Sequence, residues 1–519
     1  MLAKVSSIPK GLPKNVTSLC PECGKLIPGI LKDSDGKVVM EKNCQLHGSF
    51  SDVVWSNTEL YLIAESWAKD GVGVENPAIR DAKNCPFDCG LCNLHLSHTA
   101  LANVDLTNRC NLRCPICFAN ANAAGYVFEP DFDTVSKMLQ MLRDERPVPT
   151  PAVQFSGGEP TIHPDFIRII KKASELKFAQ VQVATNGIRF ANEPEFLRDA
   201  RDAGLNTIYL QFDGLKEENY IAARGKPLLR TKLKAVENVK KLDGRHPSIV
   251  LVPTVVKGVT DDQVWPIVEF AIKNSDVIRG VNFQPVAFSG RISQKEREKQ
   301  RYTISDLVIE IEKRSNGAIR RTDWYPPPAV AVISDLAGII MKKQYVTFTT
   351  HPGCGLATYF FVDKKTSEIT PLPRFVNVNK VFEDLESLVE RAKGRRGTLR
   401  TKIDLVRIFW RNIDKSKLPK GMSRIKFLRM ILAVVNDKTK KGLAKFSWDM
   451  LYIGSMHFQD AYNFDVDRVM RCSIHYTTPD GRIIPFCAYN SGPVYRTEIE
   501  KKFSVPLDQW RKERGADGI

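Results

Sequence analysis

The stretch Ala102-Asn-Val-Asp-Leu106-Thr-Asn-Arg-Cys110-Asn-Leu-Arg-Cys114-Pro-Ile-Cys117 decides how the rest of the chain is read. A short apolar run reads as a strand, and three thiols follow it within eight residues. A [4Fe–4S] cube held by three cysteines keeps one iron free of protein ligand, and that iron can chelate a small molecule. A structural zinc would need a fourth protein ligand, and none stands beside the triad. From Ala100 to about Ser315, β-branched runs alternate with amphipathic stretches. The alternation predicts strands over Ala102–Leu106, Val153–Ser156, Gln180–Thr185, Thr207–Phe212, Ile249–Val256 and Val281–Pro285. Helices are expected over Phe132–Arg146, Asp165–Leu176, Glu193–Ala203, Thr231–Leu242 and Asp261–Lys273. Six such units make an α/β fold, a partial (β/α)6 barrel with its active site at the C-terminal strand ends.

Those strand ends carry chemistry. The second ends on Ser156-Gly157-Gly158-Glu159-Pro160, the third on Thr185-Asn186-Gly187, the fourth on Gln211-Phe212-Asp213-Gly214 and the sixth on Asn282-Phe283-Gln284-Pro285. Any one of them alone is weak; in this order, behind C-x3-C-x2-C, they resemble the radical S-adenosylmethionine (SAM) superfamily. The resemblance implies that the open iron of the Cys110, Cys114 and Cys117 cluster binds the amino and carboxylate groups of SAM, and that reduction yields a 5′-deoxyadenosyl radical. It implies that Ser156, Gly157, Gly158 and Glu159 receive the SAM amino group. Thr185, Asn186, Gln211 and Asp213 fall to the ribose and carboxylate, Ile116 and Gln284 to the adenine side, and Arg224 and Phe118 are further cofactor-binding candidates.

The other nine cysteines form three further triads. Cys20-Pro-Glu-Cys23 with Cys44-Gln-Leu-His47 presents three thiolates and an imidazole to one tetrahedral ion, zinc or rubredoxin-like iron, with zinc the better fit on physical grounds. Cys85, Cys89 and Cys92 repeat the x3, x2 spacing and suit a second cluster, whose fourth ligand is His95, His98 or a distant cysteine. Cys354, Cys472 and Cys487 complete that site or hold a third cluster. Clustered thiols in a chain without an apolar signal core or membrane span point to metal chemistry in the cytoplasm, not disulfides.

The chain has 519 residues and a net charge of +17, from 76 Lys and Arg against 59 Asp and Glu. It divides into a cysteine-rich head with little core-forming periodicity (1–99), the barrel (100–315) and an auxiliary-cluster, lipid-binding region (316–519). The charge favours polyanionic partners without choosing among them. Between Ile403 and Val435 apolar positions recur at helical spacing among many Lys and Arg, the pattern of an interfacial element or of a core helix pair with a basic face.

Beyond the barrel, CPEC with CQLHG, NCPFDCGLC, VDLTNRCNLRCPICFANAN, QFSGGEPTIHPDF, VATNGIRF, NFQPV, HPGCG and RCSIHYTTPDGRIIPFCAYN resemble the archaeal tetraether lipid synthases. That resemblance implies three [4Fe–4S] clusters, rubredoxin-like iron at the first site, and an unidentified electron donor. The implied substrates are isoprenoid chains of archaeal diether phospholipids, joined at their terminal methyl carbons through two SAM-derived radicals and a carbon–sulfur intermediate on an auxiliary cluster. A cytoplasmic enzyme peripheral to an anionic membrane, with no nucleic-acid partner, is then expected. Two other readings are a radical SAM enzyme acting on a peptide or protein, or on RNA; a third is a non-catalytic metal-binding nucleic-acid protein.

Overall fold

In the computed structural model, residues 4–5, 7–392, 399–436, 450–492 and 495–514 are described. The cysteine-rich head, expected to lack periodicity, is in fact an antiparallel sheet with alternating burial. Its strands β1 (Lys14–Leu19), β2 (Leu26–Ser34), β3 (Lys37–Cys44) and β4 (Gly48–Trp55) pair in sequence order. The alternation is short and interrupted by polar edge positions, so it is faint in the sequence. Asp35 and Gly36, at φ 53° and 75°, make the two-residue turn between β2 and β3, the positive-φ geometry that Asp-Gly favours. Helix α1 (Thr58–Ser66) follows, with Asn57 accepting from the Leu60 N–H as its cap.

The barrel strands are β5 (Leu101–Thr107), β6 (Ala152–Gly157), β7 (Gln180–Thr185), β8 (Thr207–Gln211), β9 (Ser248–Val252) and β10 (Ile278–Pro285), all paired in parallel in that order. Between them run α2 (Phe132–Asp144), α3 (Phe166–Glu175), α4 (Pro194–Ala203), α5 (Glu217–Arg224), α6 (Leu229–Lys240) and α7 (Val264–Lys273). Each presents an apolar stripe to the sheet: Val135, Met138, Leu139 and Leu142 of α2 and Phe166, Ile169, Ile170 and Ala173 of α3 are buried. The expected strands and helices agree with these to within a few residues, because βα alternation is written locally as a switch of hydrophobic period.

The same sheet continues on both sides with strands from beyond residue 315. β11 (Gly355–Val362), β12 (Ile369–Pro371) and β13 (Met450–Met456) extend the β10 side, and β14 (Ile474–Thr477) and β15 (Ile483–Pro485) extend the β5 side. These flanks curve toward each other: Ser97 Oγ contacts Thr349, and the Thr350 hydroxyl meets that of Ser473. A second core packs α8 (Ala331–Met341), α9 (Val378–Ala392), α10 (Leu399–Asn412) and α11 (Arg424–Asn436) through Leu336, Phe382, Leu385, Leu405, Phe409 and Phe427. No helix among the described residues is long and apolar enough to cross a membrane.

Candidate active site

The Cys110 triad sits in the loop leaving β5, and its shape is set by neighbours that carry no thiol. The Asn122 side chain accepts from the Cys110 N–H (3.0 Å) and donates to the carbonyls of Cys110 (2.7 Å) and Leu112 (3.1 Å). At the far end, Cys117 exchanges backbone hydrogen bonds with Arg291, 3.0 and 2.9 Å. That close approach needs Gly290, where a Cβ would stand 2.5 Å from the Cys117 carbonyl oxygen. Within the loop the Leu112 N–H donates to Cys110 Sγ at 3.4 Å. Cys110 interacts with Cys114 and Cys117, and burial pushes its thiol pKa well up. Burial also raises Cys114, with Arg224 opposing. Desolvated thiols crowded together fit a multivalent metal centre, whose positive charge lets them ionise. Three of them without a fourth side chain fit the open-cornered iron–sulfur cube.

The glycine pair at the end of β6 admits the neighbouring backbone. A Cβ on Gly157 would meet the Thr107 carbonyl oxygen at 2.3 Å, and one on Gly158 the Arg109 carbonyl oxygen at 2.1 Å. The pair lets β6 run against the backbone that leads into Cys110, sealed by Gly158 N–H to Thr107 O (2.7 Å) and Glu159 N–H to Arg109 O (2.9 Å). Glu159 lies beside the pair. Its carboxylate is 1% exposed and accepts from the Thr161 hydroxyl (2.6 Å), the Thr185 hydroxyl (2.7 Å), the Thr161 N–H (3.2 Å) and the Asn186 N–H (2.8 Å). Three of those bonds fall on Oε1 and one on Oε2, so Glu159 ties the ends of β6 and β7 together while Oε2 keeps an acceptor site. Burial raises its pKa against the pull of these donors.

The remaining barrel residues converge as the strand order requires. Ser156 donates to Asp105 (2.7 Å), which accepts also from Arg496 (2.8 Å). Asn186 donates to Asn111 inside the triad loop (2.6 Å). Asp213, fully buried, is gripped by Arg224 through two bonds of 2.7 and 2.8 Å and accepts from Gln211. The other end of Arg224 donates to the Ile116 carbonyl (2.9 Å). A bidentate, buried guanidinium thus fixes the peptide between Cys114 and Cys117. Gln284 is half-buried at the end of β10, its N–H on Pro253 O (2.9 Å). Lys232 was not foreseen. Its ammonium, fully buried on α6, donates to Asn186 O (2.5 Å) and Gln211 Oε1 (2.6 Å), and burial brings its pKa down to about 7. A lysine in register with the apolar stripe of Ala235, Val236 and Val239 was the available signal.

Of the other groups, the one in the N-terminal sheet has a tetrahedral ligand arrangement. Cys20, Cys23, Cys44 and His47 bring their ligand atoms within 4.8 Å of one another; His47 Nδ1 lies 3.7 Å from Cys20 Sγ and 3.5 Å from Cys44 Sγ. These are edges of a tetrahedron around one ion with metal–ligand bonds of about 2.0–2.3 Å. The bond to His47 draws Cys44 down to about 6. Cys89 interacts with Cys85 and Cys92, and burial lifts Cys85 to about 12.

Cys354, Cys472 and Cys487 come from distant positions and meet where the flanks of the sheet approach. Cys354 ends the turn before β11, Cys472 precedes β14, and Cys487 lies in α12 (Phe486–Ser491), which follows β15. Cys472 interacts with both partners, and Arg468 donates to Cys354 Sγ at 3.4 Å. Of the residues offered as a fourth ligand, His95 Nε2 lies 2.7 Å from the Cys472 carbonyl oxygen and 3.1 Å from His475 Nε2, bridging the second and third triads. His98 Nε2 accepts the Thr347 N–H (3.0 Å). The Cys110 and Cys354 triads are joined by aromatic rings. Phe118, next to Cys117, packs 5.4 Å from Phe486, next to Cys487, and Phe486 stacks on Phe458 at 3.9 Å.

The radical SAM superfamily profile matches residues 104–271, and an HMPTM N-terminal zinc ribbon domain matches residues 12–56. Over 501 residues, 96% of this chain and 97% of the other, the sequence is 45% identical to the 7,8-dihydro-6-hydroxymethylpterin dimethyltransferase of Methanocaldococcus jannaschii. The chain belongs to that family, within the radical SAM superfamily. As a family member it is a radical SAM enzyme, with a [4Fe–4S] cluster and SAM implied. It is also 26% identical to a GTP 3′,8-cyclase of Clostridium acetobutylicum, over 40% of this chain and 62% of that one. A solved structure of Streptococcus suis SuiB with its precursor peptide SuiA is 18% identical with a TM-score of 0.34, covering 43% of this chain and 46% of that chain.

Proposed function

We propose that this enzyme joins terminal methyl carbons of isoprenoid chains of archaeal diether phospholipids, forming an sp3–sp3 carbon–carbon bond. The observation that supports this most is the aromatic bridge Phe118–Phe486–Phe458 between the Cys110 and Cys354 triads. An apolar wall between two thiolate sets suits a hydrocarbon and keeps water from a carbon radical. Cys110, Cys114 and Cys117 would hold a [4Fe–4S] cluster, which would supply one-electron reduction of bound SAM. Arg224 and Asn122 hold the loop that presents it, and Glu159 aligns the strand ends below it.

Coupling two chains breaks two C–H bonds and forms one C–C bond. The two hydrogens leave on two 5′-deoxyadenosines, and a one-electron donor supplies one electron for each SAM. A second reading is C-methylation of a pterin, favoured by the likeness to the M. jannaschii pterin dimethyltransferase along almost the whole chain.

Anaerobic incubation of the reconstituted enzyme with SAM, a reductant, archaeal diether lipid and 7,8-dihydro-6-hydroxymethylpterin separates the readings by mass. Loss of two hydrogens per coupled lipid pair supports coupling; methyl gain on the pterin alone refutes it. With Cys110, Cys114 and Cys117 replaced by Ala, 5′-deoxyadenosine formation is expected to vanish. With Cys354, Cys472 and Cys487 replaced by Ser, 5′-deoxyadenosine is expected without coupled lipid.

A further inference from the structure

Helices α10 and α11 carry an outward face that the proposed chemistry does not use. On α10, Thr401, Leu405, Ile408 and Phe409 are buried in the second core. On the opposite side stand Leu399, Ile403 and Trp410, 74%, 42% and 45% exposed. At about 100° per residue, spacings of four and seven put those three within about 40° of one line, so this is a second apolar stripe. Packed beside it, α11 exposes Ile425 (56%), and Arg424 sets its guanidinium 5.4 Å from the Trp410 ring. Large apolar side chains gathered on one exposed face call for a partner surface.

The charges around the stripe say which partner. Residues 399–432 hold ten Lys or Arg and two Asp. Lys415, Lys417 and Lys420 lie on the connection between the helices, and Arg400, Arg407, Arg411, Lys426 and Arg429 are exposed on the helices themselves. A tryptophan and aliphatic residues ringed by cations match the boundary between acyl chains and anionic head groups. Nucleic acid would use the cations but leave the aliphatic stripe in water.

We infer that the α10–α11 face is a membrane seat that lays the enzyme on an anionic bilayer, with Ile403, Trp410 and Ile425 entering the head-group boundary. The inference deepens the lipid reading by giving the substrate's route of supply, and it is tested apart from that reading. The metal-loaded enzyme is sedimented with vesicles of phosphatidylglycerol and phosphatidylcholine, with vesicles of phosphatidylcholine alone, and with a structured RNA as competitor. Binding to the anionic vesicles that weakens with salt is expected, with at least tenfold less binding to the neutral ones.

The triple variant Ile403→Ser, Trp410→Ser, Ile425→Ser is expected to lose at least tenfold in vesicle binding while keeping its melting temperature and its activity on detergent-dispersed substrate. Arg407→Glu with Lys426→Glu should remove the preference for anionic vesicles. Equal binding by the wild type and the triple variant overturns the seat, as does binding to RNA but not vesicles, or to neither. If vesicles are bound through this face yet no lipid is coupled, the seat stands and the lipid reading falls.

Discussion

Two buried basic residues around the Cys110 loop act through geometry and charge. Arg224→Ala strips the counter-charge from a fully buried Asp213, which costs about 3–5 kcal/mol when a buried pair loses one partner, and it frees the Ile116 carbonyl. The expected result is a drop of at least tenfold in 5′-deoxyadenosine formation, with iron at the other centres retained. Arg224→Lys restores the charge but not the fork, so its rescue should be partial.

Lys232 gives a pH signature. Its folded pKa is about 7 against the ordinary 10.5. Between those values the unfolded chain binds the extra proton, so this group adds stability as pH rises from about 7 toward 10 and opposes folding below. Lys232→Met removes that dependence. Relative to the wild type, the variant should lose on the order of 2–3 kcal/mol between pH 7 and 9, seen as a falling difference in melting temperature.

Among the elements, the junction of β5 and β6 is the most constrained. Gly158→Ala would put a methyl 2.1 Å from the Arg109 carbonyl oxygen, which is backbone and cannot rotate away. Overpacking of that kind typically costs about 1–3 kcal/mol, and here the displaced strand leads straight into Cys110. The expected outcome is loss of one cluster's iron and its visible absorbance, with the N-terminal site still filled, measured by iron content and absorption spectra. The GGEP run stands out in the sequence, and the folded sheet adds that its glycines admit the β5 backbone and that its glutamate ties β6 to β7. Motif spacing reports where a residue lies; which atoms it faces depends on Thr107–Arg109 and Asn186, whose approach only the folded sheet sets.

At the scale of the whole molecule, the N-terminal sheet is docked by buried charge. Asp52 on β4 accepts from Arg297 (2.5 Å) and Arg301, and Arg301 reaches Asp460 (2.7 Å) in the segment after β13. Lys42 adds bonds to Leu19 O (2.8 Å) and Ala461 O (2.6 Å). Asp460 is held down to about 2, its main support against burial being Arg301. Asp52→Ala leaves two buried guanidinium groups with one carboxylate, and a destabilisation of about 3–5 kcal/mol follows from the same reasoning as for Arg224. Limited proteolysis is expected to release the N-terminal region in the variant before the barrel is cut; simultaneous loss of both would contradict the docking role.

What the sequence determined by itself was local: the βα alternation, the first triad beside its strand, and the cysteine pair with Cys44 and His47 that makes one tetrahedral site. Each is written within a few dozen residues as a period or a spacing. Tertiary structure alone decided that His95 reaches the Cys472 carbonyl and that Phe118 faces Phe486. Those contacts join residues more than a hundred positions apart and exist because strands added on either side of the barrel curve until their flanks meet. Such closure follows from the twist and packing of the whole sheet, which no single segment encodes.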